Sequence, residues 1–137
     1  MDTLTQEQRS ERMSRVQGKD TKPELCVRRL VHAMGFRYRL HYGRIPGRPD
    51  LAFPGRRKVI FVHGCFWHRH RGCNNCTTPT HWREWWLKKL NGNAARDKLH
   101  QRALGKLGWR PIVIWECQTE KPKTLDRLIR KLSKLIS

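Results

Sequence analysis

Between Pro49 and Cys73 the chain gathers acid, imidazole, thiol and large aromatic side chains: Asp50, His63, Cys65, Phe66, Trp67, His68, His70 and Cys73. A carboxylate beside imidazoles suits a hard cation, since Mg²⁺ takes one or two carboxylates, a carbonyl and several waters. Such an ion neutralises charge on a phosphate and lowers the pKa of attacking water. An imidazole can take or give a proton at physiological pH. Phe66 and Trp67 stand on a charged loop, where aromatic faces are free to stack on bases. These residue types point to a metal-dependent DNA-cutting site, a structural zinc and a base-stacking wedge.

The thiols carry the zinc reading. Cys65, His70 and Cys73 lie in a loop with little else to hold it. Structural Zn²⁺ favours four Cys or His ligands in a tetrahedral array. Two residues compete for the fourth place. Cys76 completes Cys73-Asn-Asn-Cys76, an ordinary zinc-knuckle spacing, and spacing alone prefers it. Cys117, at the end of an apolar strand, would instead tie the loop to the sheet. Cys26 falls on an apolar helix face and reads as core. Five cysteines, an odd number, argue against a disulfide framework.

Length and charge set the frame. The chain has 137 residues, the size of one domain. Thirty Lys and Arg oppose eleven Asp and Glu, for a formal charge of +19, which suits a polyanionic partner. The basic residues are spread along the chain, which favours a folded basic face over a disordered arm. Charge alone does not separate an enzyme from a non-catalytic binder. No apolar run is long enough to span a membrane, and the N-terminus lacks a signal-peptide core, so a cytoplasmic protein is expected.

The positioning elements follow from periodicity and caps. A capping box at Thr5 opens a polar helix to about Gln17. Thr21-Lys22-Pro23-Glu24 opens another, with Leu25, Leu30, Val31 and Met34 on its buried face. Phe36, Tyr38 and Leu40 alternate with arginines as a strand. Residues 50–53 and 58–62 form a hairpin around Pro54-Gly55, which places Asp50 opposite Phe61 or Val62 with His63 next in line. Residues 63–80 read as irregular. A helix from Thr80 to Leu90 breaks at Asn91-Gly92-Asn93, and a second runs to Leu107. Pro111 to Trp115 is a strand, and Thr124 caps a last amphipathic helix. Trp109 and Trp115 read as core. The expected fold is one α/β domain, a sandwich around a small mixed sheet.

GRPD, the hairpin and HGCFWHRHRGC resemble the very short patch repair (Vsr) endonucleases, a branch of the PD-(D/E)XK nuclease superfamily. RMSR, DTKPE, WWLKKLNGNAARD and GWRPIVIWEC extend the resemblance from about Ser10 to Cys117. It implies a restriction-endonuclease-like three-layer core with a zinc-stapled loop, spanning 1–137, with residues 1–20 as a DNA-embracing arm that includes Met13. It implies a bacterial enzyme that nicks DNA 5′ to the thymine of a T:G mispair left by deamination of 5-methylcytosine. By the same resemblance, Asp50 binds Mg²⁺ with the backbone carbonyl of Val62, a position where the family commonly has Thr. His63 replaces the superfamily lysine, His68 is the catalytic imidazole, Asp97 orients it, and Glu24 lies near a second metal site. Cys65, His70, Cys73 and Cys117 become the zinc ligands. Phe66, Trp67 and Trp86 become the wedge, with Lys89 and Asn93 near the mispair. The implied partners are mismatched duplex DNA, mismatch-repair proteins and a repair polymerase, met by a monomer at the nucleoid. A Vsr-like nickase of other specificity, a zinc DNA-binding module without catalysis, and a His-Cys-box nuclease are the rivals. The module leaves Asp50, His63 and His68 together unexplained, and the His-Cys-box element does not follow a strand as this loop does.

Overall fold

The computed structural model describes residues 20–137. The helix expected from Thr5, Met13 and the arm up to residue 19 lie outside the described residues. Helix α1 (Lys22–Ala33) starts where the Thr21 hydroxyl accepts the Glu24 N–H, with Pro23 in the first turn. It buries Glu24, Val27 and Val31, while Leu25 is exposed. Val27 therefore takes the inward place expected of Leu25. Strand β1 is only Arg39–Leu40, shorter than expected, and Phe36 and Tyr38 reach the core from the turn before it.

Strands β2 (Leu51–Phe53) and β3 (Lys58–His63) form the antiparallel hairpin, with Leu51 opposite Ile60 and Ala52 opposite Val59. Its turn is one 3₁₀ turn, Pro54–Arg56, closed by Arg57 in a left-handed conformation. Helix α2 (Arg83–Lys106) leads to strand β4 (Arg110–Trp115), which lies parallel to β3 and sets Trp115 beside His63. Helix α3 (Pro122–Ile136) ends the chain. The sheet is mixed, in the order β1-β2-β3-β4.

Side-chain alternation divides the two faces. Leu51, Phe53, Ile60, Ile112 and Ile114 pack against Val27 and Val31 of α1 and Leu128, Leu132 and Ile136 of α3. Ala52, Val59 and Phe61 face the other way, onto Leu104 of α2. Helices thus cover both faces, giving three layers. His63 is in phase with Val59 and Phe61, so it meets the α2 layer.

Helix α2 runs 24 residues without the break expected at Asn91-Gly92-Asn93, and starts at Arg83 rather than Thr80. Glycine inside a helix costs about 1 kcal/mol relative to alanine. Burial of Trp86, Leu90 and Leu104, at about 1.5–3 kcal/mol per large apolar side chain, outweighs that. Thr124 does not sit at the cap of α3. Pro122 moves the start back to Lys121, and the Thr124 hydroxyl accepts the Lys121 N–H at 3.2 Å from inside the first turn. Among the described residues, no helix is long and apolar enough to cross a membrane.

Candidate active site

Asp50 stands at the open end of the hairpin, and its Oδ2 accepts the Val62 N–H at 2.6 Å. Burial pushes the Asp50 carboxyl up to about 7; the Val62 bond opposes that rise, and the neighbouring Glu24 carboxylate adds to it. Glu24, itself buried, accepts from the Asp20 N–H at 3.0 Å and from Arg28 at 3.2 Å. Asp50 has no Lys or Arg ion pair among the described residues. A desolvated carboxylate beside a second one, with no side-chain cation of its own, fits a hard divalent ion.

The loop before Asp50 is pressed against α2. Gly47 has φ +84°, and a Cβ there would meet Cβ of His100 at 3.0 Å and Cζ of Phe61 at 3.1 Å. Only glycine meets both conditions.

The imidazoles form an ordered pair. His63 and His68 stack in parallel, ring centres 3.9 Å apart. His68 Nδ1 lies 2.5 Å from Asp97 Oδ2, and His63 Nε2 lies 4.0 Å from Asp97 Oδ1. A carboxylate only accepts, so His68 Nδ1 carries the proton of that bond and Nε2 is left to exchange one. Burial, then the charge of His68, push His63 down to about 4, so His63 is neutral near pH 7. Asn93, Asp97 and His100 follow one another along a single face of α2. They line a cleft of about 520 Å³ with Glu24, Val62 and His68, and a recess of about 170 Å³ beside it holds Asp50 and His63.

A second cluster lies beyond this cleft. The ligand atoms of Cys65, His70, Cys73 and Cys117 all lie within 4.8 Å of one another. His70 Nδ1 is 3.5 Å from Sγ of Cys65 and 3.5 Å from Sγ of Cys117. Cys76, which spacing preferred, is not in the group. Burial raises the thiols of Cys65 and Cys117, so a thiolate there needs the counter-charge of a bound cation. Three thiols and an imidazole are the donor set of a closed zinc site.

Trp67 lines the cleft, and Phe66 stands half-buried beside it, ring centres 5.0 Å apart. Trp86 does not share their exposure: at 1% exposed it is the floor beneath them, with ring centres 5.6 Å from Phe66 and 6.1 Å from Trp67. Its Nε1 has no hydrogen-bond partner among the described residues. Asn93 Nδ2 donates to the Trp67 carbonyl at 3.2 Å, and Arg96 donates to Asn93 Oδ1. Asn93 therefore braces the loop that carries Phe66 and Trp67. Lys89 lies over the Trp85 ring at 5.7 Å.

Two residues, the last of β4 and the one after it, are not read as site residues in the sequence. Trp115, expected in the core, is half-buried against His63 and His70. Glu116 Oε1 accepts the Cys65 N–H at 2.9 Å and anchors the start of the thiol loop. The only sequence signal was their adjacency to Cys117. Trp109, also expected in the core, is half-buried beside Tyr42.

Residues 1–75 match the family described as DNA mismatch endonuclease Vsr. The type II nicking enzyme V.XorIIP of Xanthomonas oryzae pv. oryzae is 43% identical over 131 residues, covering 96% of each chain. The type II nicking enzyme V.NmeAIP of Neisseria meningitidis is 37% identical over 135 residues, again covering 96% of each. The DNA mismatch endonuclease Vsr of Escherichia coli is 38% identical over 109 residues, covering 80% of this chain and 69% of that one.

Proposed function

Because this chain belongs to the Vsr family of DNA mismatch endonucleases, and is a DNA-cleaving hydrolase, we propose that it nicks one strand of a duplex 5′ to the thymine of a T:G mispair. The observation that carries this reading is the His68–Asp97 pair at 2.5 Å, sharing a recess with Asp50 beside a cleft lined by Trp67.

Asp50 and the Val62 carbonyl would hold Mg²⁺, with Glu24 near a second position. When bound, the ion would neutralise phosphate charge and acidify water. Asp97 fixes the tautomer of His68, and His68 moves a proton at Nε2 to or from the reacting oxygens. His63 stays neutral, so it can donate one hydrogen bond to phosphate or water without placing a second charge under His68. Zn²⁺ on Cys65, His70, Cys73 and Cys117 would hold the loop that carries Phe66, Trp67 and His68. Those two aromatics would enter beside the mispair, where unstacking costs less than in a sound duplex. Asn93, which lines the same cleft, and Lys89, one turn earlier on α2, would lie near the mispair.

The names of two relatives, type II nicking enzymes, favour a second reading: a nickase of the same chemistry with another site preference. One assay separates the two. Duplexes with T:G, U:G, C:G and T:A in varied flanks are incubated with protein and Mg²⁺. Nicking confined to mispaired duplexes is expected. Nicking of C:G or T:A duplexes at a fixed sequence would select the second reading.

A further inference from the structure

The last residue of strand β4, Trp115, and the first two of the 3₁₀ turn that follows it, Glu116 and Cys117, each grip a different part of the site. Trp115 lies flat on His70, ring centres 4.2 Å apart and planes 9° from parallel. The same indole meets His63 edge-on at 5.3 Å and 73°. His63 stacks on His68 at 3.9 Å and 7°, and His68 bonds to Asp97 at 2.5 Å. Glu116 takes the Cys65 N–H, and Cys117 Sγ stands 3.5 Å from His70 Nδ1. Four rings, in the order His70, Trp115, His63, His68, thus run unbroken from the thiol cluster to the acid–base pair.

We propose that Trp115 is a positioning residue for hydrolysis, which holds the His63–His68 pair in register by clamping it, through its own ring, to His70 in the thiol cluster. This rests on the function proposed above. Asp97 constrains His68 along one hydrogen-bond direction only, and it leaves the imidazole free to tilt about that bond. A parallel ring at 3.9 Å removes the tilt, provided His63 cannot slide. The edge of Trp115 blocks that slide, and Trp115 is held by the parallel pairing of β4 with β3 and by the face of His70. A shift of about 1 Å in a reacting group can slow catalysis about a hundredfold. The loop backbone is a competing route, since His68 and His70 are two residues apart. Replacing His70 by another ligand keeps that route and removes the ring.

The test uses the full chain with T:G duplex and three variants: His70→Cys, which offers an all-thiolate site, Trp115→Leu and Trp115→Phe. Four quantities are read: bound zinc, duplex affinity, single-turnover nicking rate, and the imidazole ¹⁵N–¹H resonances of His63 and His68 at fixed pH. In His70→Cys and Trp115→Leu, zinc and affinity should stay at wild-type levels. Nicking should slow about ten- to hundredfold, and the His68 resonances should move. Trp115→Phe, which keeps a ring, should recover most of the rate. Zinc-replete His70→Cys with wild-type rate and unmoved His68 resonances overturns the proposal. That variant decides alone if Trp115→Leu does not fold. If the wild-type protein nicks no duplex, the functional reading fails separately. The resonances still decide the ring column: unmoved His68 signals in both variants overturn it.

Discussion

The two polar clusters are built from overlapping stretches of chain, and each has one buried member and half-buried partners, yet they differ in what they face. The Asp50, His63, His68 and Asp97 group opens onto a cleft, and among the described residues its Asp50 carboxyl has no Lys or Arg partner. The Cys65, His70, Cys73 and Cys117 group turns its ligand atoms toward one another, all within 4.8 Å, and stacks on Trp115 through His70. A site that must receive phosphate and water needs an open face and unpaired charge. A site that only holds a loop gains most by satisfying every ligand internally. Damage to the first should therefore appear in rate, and damage to the second in stability.

The sharpest break of that contrast is Asp50→Asn. It keeps an oxygen for the Val62 N–H and removes the charge a cation needs. Nicking should fall at least about a thousandfold, about 4 kcal/mol of barrier. Melting temperature in magnesium-free buffer should not fall, because the removed carboxyl is one that burial disfavours as an anion. Near-normal nicking would take Asp50 out of the site. His68→Ala belongs beside it: a loss of about 10²–10⁴-fold, the range for a general acid or base, with duplex affinity kept.

The thiol cluster should respond the other way. Cys117→Ser should lose the bound metal and lower the melting temperature by at least about 5 °C, since structural zinc binding is part of folding free energy. Cys76→Ser should change neither, and metal analysis with calorimetry on both variants decides it. If Cys76→Ser alone releases the metal, the ligand set read from knuckle spacing is the correct one.

Smaller again is the wedge. Trp67→Ala should weaken T:G duplex binding by about 1–3 kcal/mol. Binding to paired DNA, dominated by counterion release, should barely move and should remain strongly salt-dependent. Equal weakening of both would make Trp67 a phosphate-side or packing residue.

A last pair of effects, which largely cancel in the wild-type protein, lies within the open cluster. Asp50 is held up at about 7 against an ordinary 3.8, so between those values the folded protein binds more of this proton, and acidification stabilises it. His63 is held down at about 4 against an ordinary 6.5, so there the unfolded chain binds more, and acidification destabilises the fold. The slopes oppose each other, each at most about 1.4 kcal/mol per pH unit. In magnesium-free buffer, Asp50→Asn should steepen the loss of stability from pH 6.5 to 4, and His63→Gln should flatten or reverse it. Denaturant titrations across that window check the signs.

The sequence by itself determined what depends on near neighbours. The hairpin register follows from a turn at Pro54–Arg57 and alternating apolar residues, so the meeting of Asp50 with Val62 was legible. The irregular loop, the α1 cap and its first-turn proline were legible for the same reason. The family resemblance supplied Cys117 and Asp97, which no local spacing links to the loop. Only the tertiary structure decided matters that depend on distant burial. Helix α2 stays whole across Asn91-Gly92-Asn93 because residues on both sides of that point are buried. Trp86 is buried beneath Phe66 and Trp67 rather than exposed beside them. Trp115 reaches both imidazole clusters because β4 pairs in parallel with β3, across an intervening loop and a 24-residue helix. Such a pairing has no signature in a single sequence: its register is fixed by which apolar faces the helices cover, a property of the whole core.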